Sequence, residues 1–204
     1  MAKDLPSPQQ AKELLDWAAR LNPGPWVSHA CTAARAARTI AHACDMDAGR
    51  CHTLGLLHDI GRYEGRTALR HVLAGYELMM AQGYEKVARV CLSHSFPVKN
   101  LAFYNGFNDC SARETALIET LLEGTDYDDE IRLVQLCDAI SLPGSVTLVE
   151  RRLVDVGLRH GVSPDSPLKW RAFLELKAYF DRRCQTNVYR LFAREVRLDI
   201  FGKE

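Results

Sequence analysis

Residues 56–62 read Leu-Leu-His-Asp-Ile-Gly-Arg, so a histidine and an aspartate stand side by side after two apolar residues and before a glycine. Adjacent imidazole and carboxylate groups are a common start to a metal site. One such pair arises by chance in many chains, so the pair alone carries little weight. Further histidines and an aspartate lie in or beside apolar, helix-like segments: His29, His71, His94 and Asp138. We therefore expect several segments to contribute ligands to one centre.

The charge balance limits the classes of partner. The 204 residues include 26 Lys and Arg against 26 Asp and Glu, so there is no net basic charge to hold the protein on nucleic acid or an anionic membrane. No apolar run approaches the roughly 18–20 residues of a membrane span, and the first residues lack the apolar block of a secretory signal. We expect a cytoplasmic protein that acts on a small molecule.

The cysteines do not suggest a disulfide framework. There are seven, an odd number, and none forms a Cys-x-x-Cys pair. Most lie among aliphatic residues in helix-like runs. We predict buried, reduced thiols.

Helical signals are frequent and strand signals are scarce. Ser7 followed by Pro8 starts a helix, and Ser-Ala-Arg-Glu at 111–114 matches a capping box. Gly61 suits the C-terminal cap of the helix that carries the His-Asp pair. The predicted helices cover about residues 7–21, 26–44, 48–60, 68–82, 84–93, 111–122, 128–141, 145–159, 165–183 and 187–199. Residues 95–110 are predicted to be a loop long enough for a lid or a pocket rim.

The candidate ligands offer nitrogen and oxygen donors. His29, His58, Asp59 and Asp138 would make a mononuclear site with positions left for water and substrate. His71 and His94 would add a second metal, with Asp59 as the bridge. Such a donor set suits one or two divalent ions of Fe, Mn, Co, Ni or Zn and gives no support to a thiolate site.

The order His29, His58-Asp59, Asp138, with the pair inside Leu-Leu-His-Asp-Ile-Gly, resembles the HD-domain superfamily of metal-dependent phosphohydrolases over about residues 26–142. His71, in His-x-x-x-Gly, and His94, in Leu-Ser-His-Ser, resemble the extra histidines of its two-metal branch. The resemblance implies an all-α fold. We expect a single helical domain over residues 1–204, an HD-domain-like bundle at about 26–142 with additional C-terminal helices at about 145–204.

The resemblance also implies a reaction. Such enzymes hydrolyse phosphoester or phosphoanhydride bonds, often in nucleotides, by metal-activated hydroxide, as phosphomonoesterases or phosphodiesterases. Asp59 and Arg62 are the expected catalytic residues. Arg62 takes the place where two-metal relatives often have a lysine; it supplies a bidentate charge but does not readily give up a proton. Arg66, Arg70 and Lys99 are expected to bind the substrate phosphate. An ordinary role as solvated surface residues is equally compatible with the sequence.

Two other functions remain open. The same six ligands also resemble those of the diiron oxygenases of this superfamily, exemplified by myo-inositol oxygenase. A catalytically silent regulatory HD domain that binds a nucleotide is the third alternative, although such domains commonly lack ligands that are present here. The C-terminal helices are expected either to shape the pocket or to form a homodimer.

Overall fold

The computed structural model describes residues 4–202, and α-helices make up most of that range. The ten helices are α1 (Pro8–Leu21), α2 (Pro25–Ala43), α3 (Ala48–Leu57), α4 (Arg70–Ala81), α5 (Glu85–Ser93), α6 (Ala112–Glu123), α7 (Asp129–Ala139), α8 (Val149–His160), α9 (Ser166–Arg183) and α10 (Ala193–Phe201). Short 3₁₀ helices cover Ile60–Glu64, Leu101–Phe103 and Val188–Phe192. The all-α prediction, with extra helices after the core, is confirmed.

Local capping explains several helix starts. The Ser7 side chain accepts a hydrogen bond from the Gln10 backbone N–H, and Ser111 and Glu114 form the predicted capping box. Asp47 caps α3 by accepting from the Gly49 and Arg50 backbone N–H groups. These bonds satisfy backbone donors that have no partner within the helix.

Several local predictions are wrong, and the first part of the last predicted helix, 187–199, is the 3₁₀ helix Val188–Phe192. The third helix ends at Leu57 instead of Ile60, and Gly61 lies inside the following 3₁₀ helix instead of capping α3. The helix predicted to reach residue 141 ends at Ala139, where a small antiparallel hairpin begins, with β1 (Ser141–Leu142) paired to β2 (Ser145–Val146). Pro143 and Gly144 make its turn, and Gly144 has a φ of 90°, a conformation that glycine adopts at little cost.

Helix α2 runs through the centre of the fold. Its buried face is mostly alanine, with Ala33, Ala36 and Ala37 fully enclosed, so neighbouring helices approach it closely. The C-terminal helices pack against this same region: Phe173 and Phe180 of α9 share one hydrophobic cluster with the buried residues of α2 and α7. The C-terminal extension therefore shares a core with the helices that carry the candidate ligands.

A disulfide joins the two regions. Cys44, just after α2, is bonded to Cys184, just after α9. The prediction of reduced cysteines is wrong for this pair, because its formation depends on two helix ends that meet across 140 residues and leave no local signal. Cys51, Cys91 and Cys137 are free and buried, as predicted, whereas Cys31 is exposed and Cys110 is half-buried.

None of the helices within residues 4–202 is both long enough and apolar enough to cross a membrane.

Candidate metal centre

The candidate ligands sit at or near helix ends that meet in the interior. His58 and Asp59 directly follow α3, His94 directly follows α5, and Asp138 is the second-to-last residue of α7. His29 and His71 come early in α2 and α4. The four histidines and Asp59 are buried, with His58 only 1% exposed. The predicted convergence of residues from five segments is therefore present in the fold.

The ligand atoms form two adjoining groups. On one side, Oδ1 of Asp138 lies 2.9 Å from Nε2 of His29 and 3.7 Å from Nε2 of His58. On the other side, Oδ1 of Asp59 lies 3.2 Å from Nε2 of His71 and 3.5 Å from Nε2 of His94. Oδ2 of Asp59 is 3.9 Å from Nε2 of His58, so Asp59 stands between the groups.

All four imidazoles are oriented in the same way. Each places Nδ1 against a backbone carbonyl, and the partners of His29, His58, His71 and His94 are Ser141, Gly55, Ala68 and Cys91. A carbonyl only accepts, so Nδ1 carries the proton and donates it. Every Nε2 is then left with a free lone pair that points into the centre. Metal-binding histidines are commonly held in this way.

The acceptor atoms of the candidate ligands face one another with no donor or cation between them in the described residues. Nε2 of His58 and Oδ1 of Asp59 are buried without any hydrogen-bond partner. Nε2 of His71 lies 3.2 Å from Nε2 of His94, so two acceptor nitrogens face each other. Buried acceptors without donors are costly, and a cation at their meeting point would relieve the cost. The residues fit a divalent metal with imidazole and carboxylate ligands.

The two carboxylates are held ionised, as metal ligands must be. Burial would raise the pKa of Asp59, but the guanidinium of Arg62 beside it outweighs that effect and keeps the pKa well below its usual range. Burial would also raise the pKa of Asp138, but the adjoining imidazoles of His29 and His58 outweigh it and keep that pKa well below its usual range. Burial and the charge of Arg62 lower the pKa of His71 to about 3, so this imidazole stays neutral.

A family model described as HD domain matches residues 26–142, more than half of the chain. The chain belongs to the HD domain family. Comparison with curated proteins and with solved structures gives no significant match. The matched range contains the six candidate ligands and ends before the C-terminal extension.

Arg62, which the sequence analysis predicts to be catalytic, lies beside the candidate ligand Asp59. Its Nε donates to Oδ2 of Asp59 over 2.7 Å. Burial would lower the pKa of the guanidinium, but Asp59 outweighs that effect and raises it, so the charge is permanent. The side chain is 30% exposed and lines the cavity above the ligands. Within residues 4–202 its two terminal nitrogens have no acceptor, which leaves them available to a ligand.

Two residues that sequence reasoning did not single out support the candidate ligands. The Gln135 side-chain amide donates to the Ser93 and Phe96 carbonyls, which flank His94. Asp109, at the end of the predicted loop, accepts from the backbone N–H groups of Ala68 and Arg70 and so fixes the start of α4. Each of them bonds to partners about 40 residues away in the sequence, so no local pattern identifies them.

Gly61, the glycine of the His-Asp-Ile-Gly motif, allows a close backbone approach. A Cβ atom at this position would lie 2.0 Å from the carbonyl oxygen of His71 and 2.4 Å from the backbone nitrogen of Gly75. Such distances are incompatible with any side chain. The motif glycine thus brings the turn after Asp59 against α4, the helix that carries His71.

A cavity of about 680 Å³ opens above the HD centre. Five of the six candidate ligands, all except His58, form part of its lining, and the loop over residues 95–110 contributes Ser95 and residues 104–107. Helices α8 and α9 supply another wall, with Arg152, Arg159, His160 and Lys169. The C-terminal extension therefore helps to shape the pocket.

The three residues predicted to bind substrate phosphate lie elsewhere. Arg70 is paired with Glu64 and Glu114. Lys99 donates to the Glu123 carbonyl, and Arg66 is exposed. None of the three lines the cavity, so their role in substrate binding stays a prediction, and the geometry favours other basic residues.

Proposed function

We propose that this HD domain protein is a metal-dependent phosphohydrolase that cleaves a phosphoester or phosphoanhydride bond of a small phosphorylated molecule, such as a nucleotide. The observation that carries the proposal is the position of Arg62. Its Nε is bonded to the candidate ligand Asp59, its side chain lines the cavity, and its terminal nitrogens have no acceptor among residues 4–202. A fixed guanidinium beside a metal centre is well suited to hold a phosphoryl group.

The metal-binding residues would be His29, His58, Asp59 and Asp138, with His71 and His94 for a second ion. A divalent ion held there would supply Lewis-acid stabilisation of phosphoryl oxygens and lower the pKa of water toward neutrality. The protein contributes ligands whose protonation states and orientations are already set. Little reorganisation is then needed when the ion binds.

Arg62 would position the substrate. Its two terminal nitrogens match the spacing of two phosphoryl oxygens, and its charge would stabilise the negative charge that increases there during the reaction. The bond to Asp59 keeps the guanidinium plane from turning away. Because its pKa is raised, Arg62 binds and orients but does not transfer a proton.

Tyr104 offers a second donor. It lines the same cavity, and burial raises its pKa above the ordinary value of 10. The phenol therefore keeps its proton and can donate a hydrogen bond to a phosphoryl oxygen or to the leaving group. A cavity of about 680 Å³ falls within the roughly 300–1,000 Å³ typical of small-molecule sites.

The test starts with the metal content of protein purified without added metal. The protein is then assayed with Mn, Co or Ni against phosphomonoesters, phosphodiesters and nucleoside triphosphates, without oxygen. We expect oxygen-independent hydrolysis of at least one of these classes, followed as release of the alcohol, phosphate or pyrophosphate. In parallel, oxygen consumption is followed with polyols and phosphonates, because the same ligands also occur in diiron oxygenases. Oxygen consumption with product formation, or tight metal binding without any turnover, would contradict the proposal.

Asp59→Asn keeps the shape of the side chain but removes the charge between the two ligand groups. We expect loss of both metal loading and turnover. Glu119→Gln is the matched control, since it removes an exposed carboxylate on α6. An Asp59→Asn protein with full metal content and full activity would rule out the role given to Asp59.

A further inference from the structure

The cavity wall formed by α8 and α9 is rich in positive charge. Arg152, Arg159, His160 and Lys169 all line it, and Asp155 is the carboxylate among them. Asp155 is shared, since it pairs with both Arg152 and Arg159. One carboxylate cannot balance two guanidinium groups, so this wall keeps an excess of positive charge without counting Lys169.

Lys169 is the most unusual residue of the wall. It is only 4% exposed, and its Nζ donates to the Phe103 carbonyl over 2.6 Å. Nζ also lies 5.8 Å from the centre of the Phe173 ring. Within residues 4–202 no carboxylate comes within 4.0 Å of this ammonium. A buried cation without a counterion is costly, and a bound anion would relieve that cost.

Lys169 stays largely charged at neutral pH. Burial lowers its pKa from 10.5 to about 8, although Asp138 acts in the opposite direction. An ammonium has three N–H donors, and the Phe103 carbonyl accepts one. The other two have no acceptor among residues 4–202, and Lys169 lines the cavity.

We propose that Lys169, assisted by Arg152, forms an anion site for a second acidic group of the substrate, a phosphate or a carboxylate that is not cleaved. The inference rests on the proposed function, which assigns the cleaved phosphoryl group to Arg62 and the metal ligands. One cavity then presents two separate cationic regions. A molecule with two acidic groups joined by a spacer satisfies both regions.

The residues of this site lie outside the HD match, which ends at residue 142. Specificity for the second group would therefore come from the C-terminal extension, while the HD core carries out the cleavage. The hydrogen bond from Lys169 to Phe103 also connects this site to the loop that forms another part of the cavity lining.

The test compares three substrates of equal length with the metal-loaded full chain: an alkanediol bisphosphate, the matching ω-phosphocarboxylate and the matching monophosphate with a neutral end. Lys169→Gln retains a donor for the Phe103 carbonyl but loses the charge. We expect this substitution to lower kcat/KM about 10- to 100-fold for a substrate with a second acidic group. The kcat/KM for the monophosphate should change little. The first two substrates show whether phosphate or carboxylate is the preferred second group. Lys169→Arg should restore part of the loss.

A binding measurement separates this proposal from the proposed function. An alkane bisphosphonate, which resists phosphoester hydrolysis, is titrated into wild type, Lys169→Gln and the control Arg171→Gln, an exposed residue of α9. We expect about tenfold weaker binding to Lys169→Gln alone. If no phosphoester is hydrolysed but this difference remains, the anion site stands and the proposed function fails.

If hydrolysis is observed but Lys169→Gln leaves both the substrate preference and the bisphosphonate affinity unchanged, the anion site is overturned. Arg152→Gln, at a half-buried position, provides the same test should Lys169→Gln fail to fold. Arg152→Gln should lower the preference for substrates with a second acidic group by about 3- to 10-fold, because it removes one charge from the same wall. An unchanged preference in that variant would also count against the site.

Discussion

The side-chain amide of Gln135 donates to the backbone carbonyl of Ser93 over 3.0 Å, one residue before the candidate ligand His94. A second bond of the same length reaches the Phe96 carbonyl. Gln135 belongs to α7, the helix that also carries Asp138. Helix α7 thus carries one candidate ligand, Asp138, and its Gln135 holds the chain beside another, His94.

Replacing Gln135 with leucine should disturb both stability and metal binding. Two buried carbonyls would lose their donor, which we expect to lower the free energy of unfolding by about 2–4 kcal/mol. The histidine that follows Ser93 would be less well positioned, so metal affinity should fall about 10- to 100-fold. Denaturant unfolding and metal titration measure the two effects.

The control for this variant is Ile131→Ala, a buried substitution on the same helix. It should destabilise by about 2–5 kcal/mol through a cavity and leave metal affinity unchanged. Equal metal affinity in Gln135→Leu and Ile131→Ala would show that Gln135 contributes stability alone.

Gly61→Ala should be severely destabilising. The new methyl group would lie 2.0 Å from the His71 carbonyl oxygen, so the turn and α4 would have to separate. We expect a loss of more than about 3 kcal/mol, together with weaker metal binding because His71 is displaced. Gly83→Ala is the comparison: its φ of 77° is unfavourable for alanine, but nothing lies near the added atom, so about 1–2 kcal/mol is expected. Similar losses for the two variants would contradict the close-approach explanation.

Most helices could be predicted because their signals are local. The caps at Ser7 and Ser111 act within three residues, and the ligands of the HD motif stand in a recognisable order. Gly61 was misassigned because a glycine after a helix looks the same in sequence whether it caps the helix or packs against another one. Gln135 and Lys169 gave no signal, since their partners lie 39–66 residues away. The disulfide spans a still longer separation.

Lys169 should make stability depend on pH. Its pKa is about 8 in the folded protein and near 10.5 when unfolded, so between these values the unfolded state binds more protons and stability rises with pH. Asp138 of α7 and His160 of α8 are the titratable groups whose electrostatic interactions couple to Lys169. The difference in unfolding free energy between wild type and Lys169→Met should shift by about 3 kcal/mol in favour of wild type from pH 8 to 10.5. A difference that is independent of pH would show that Lys169 has an ordinary pKa.

Removal of the disulfide should destabilise the protein. The bond between Cys44 and Cys184 closes a loop of 140 residues, for which the chain-entropy model gives about 5 kcal/mol. Cys184→Ser should lower the free energy of unfolding by several kcal/mol, measured without reductant. Cys31→Ser, which changes an exposed free thiol, is the control. A thiol titration that finds seven reactive cysteines in unfolded, unreduced wild type would show that the bond is absent.

The bond also turns residues 44–184 into a covalent ring, and five of the six candidate ligands lie within it while His29 lies on the tail that enters it. A single cut by a protease inside the ring would open the backbone but leave both pieces attached. Nicked protein would then run as one band on a gel until a reducing agent separates the fragments. A protease site engineered into an exposed loop of the ring would allow the backbone to be cut near the cavity wall. The two fragments, which carry the candidate ligands, would stay joined by the disulfide.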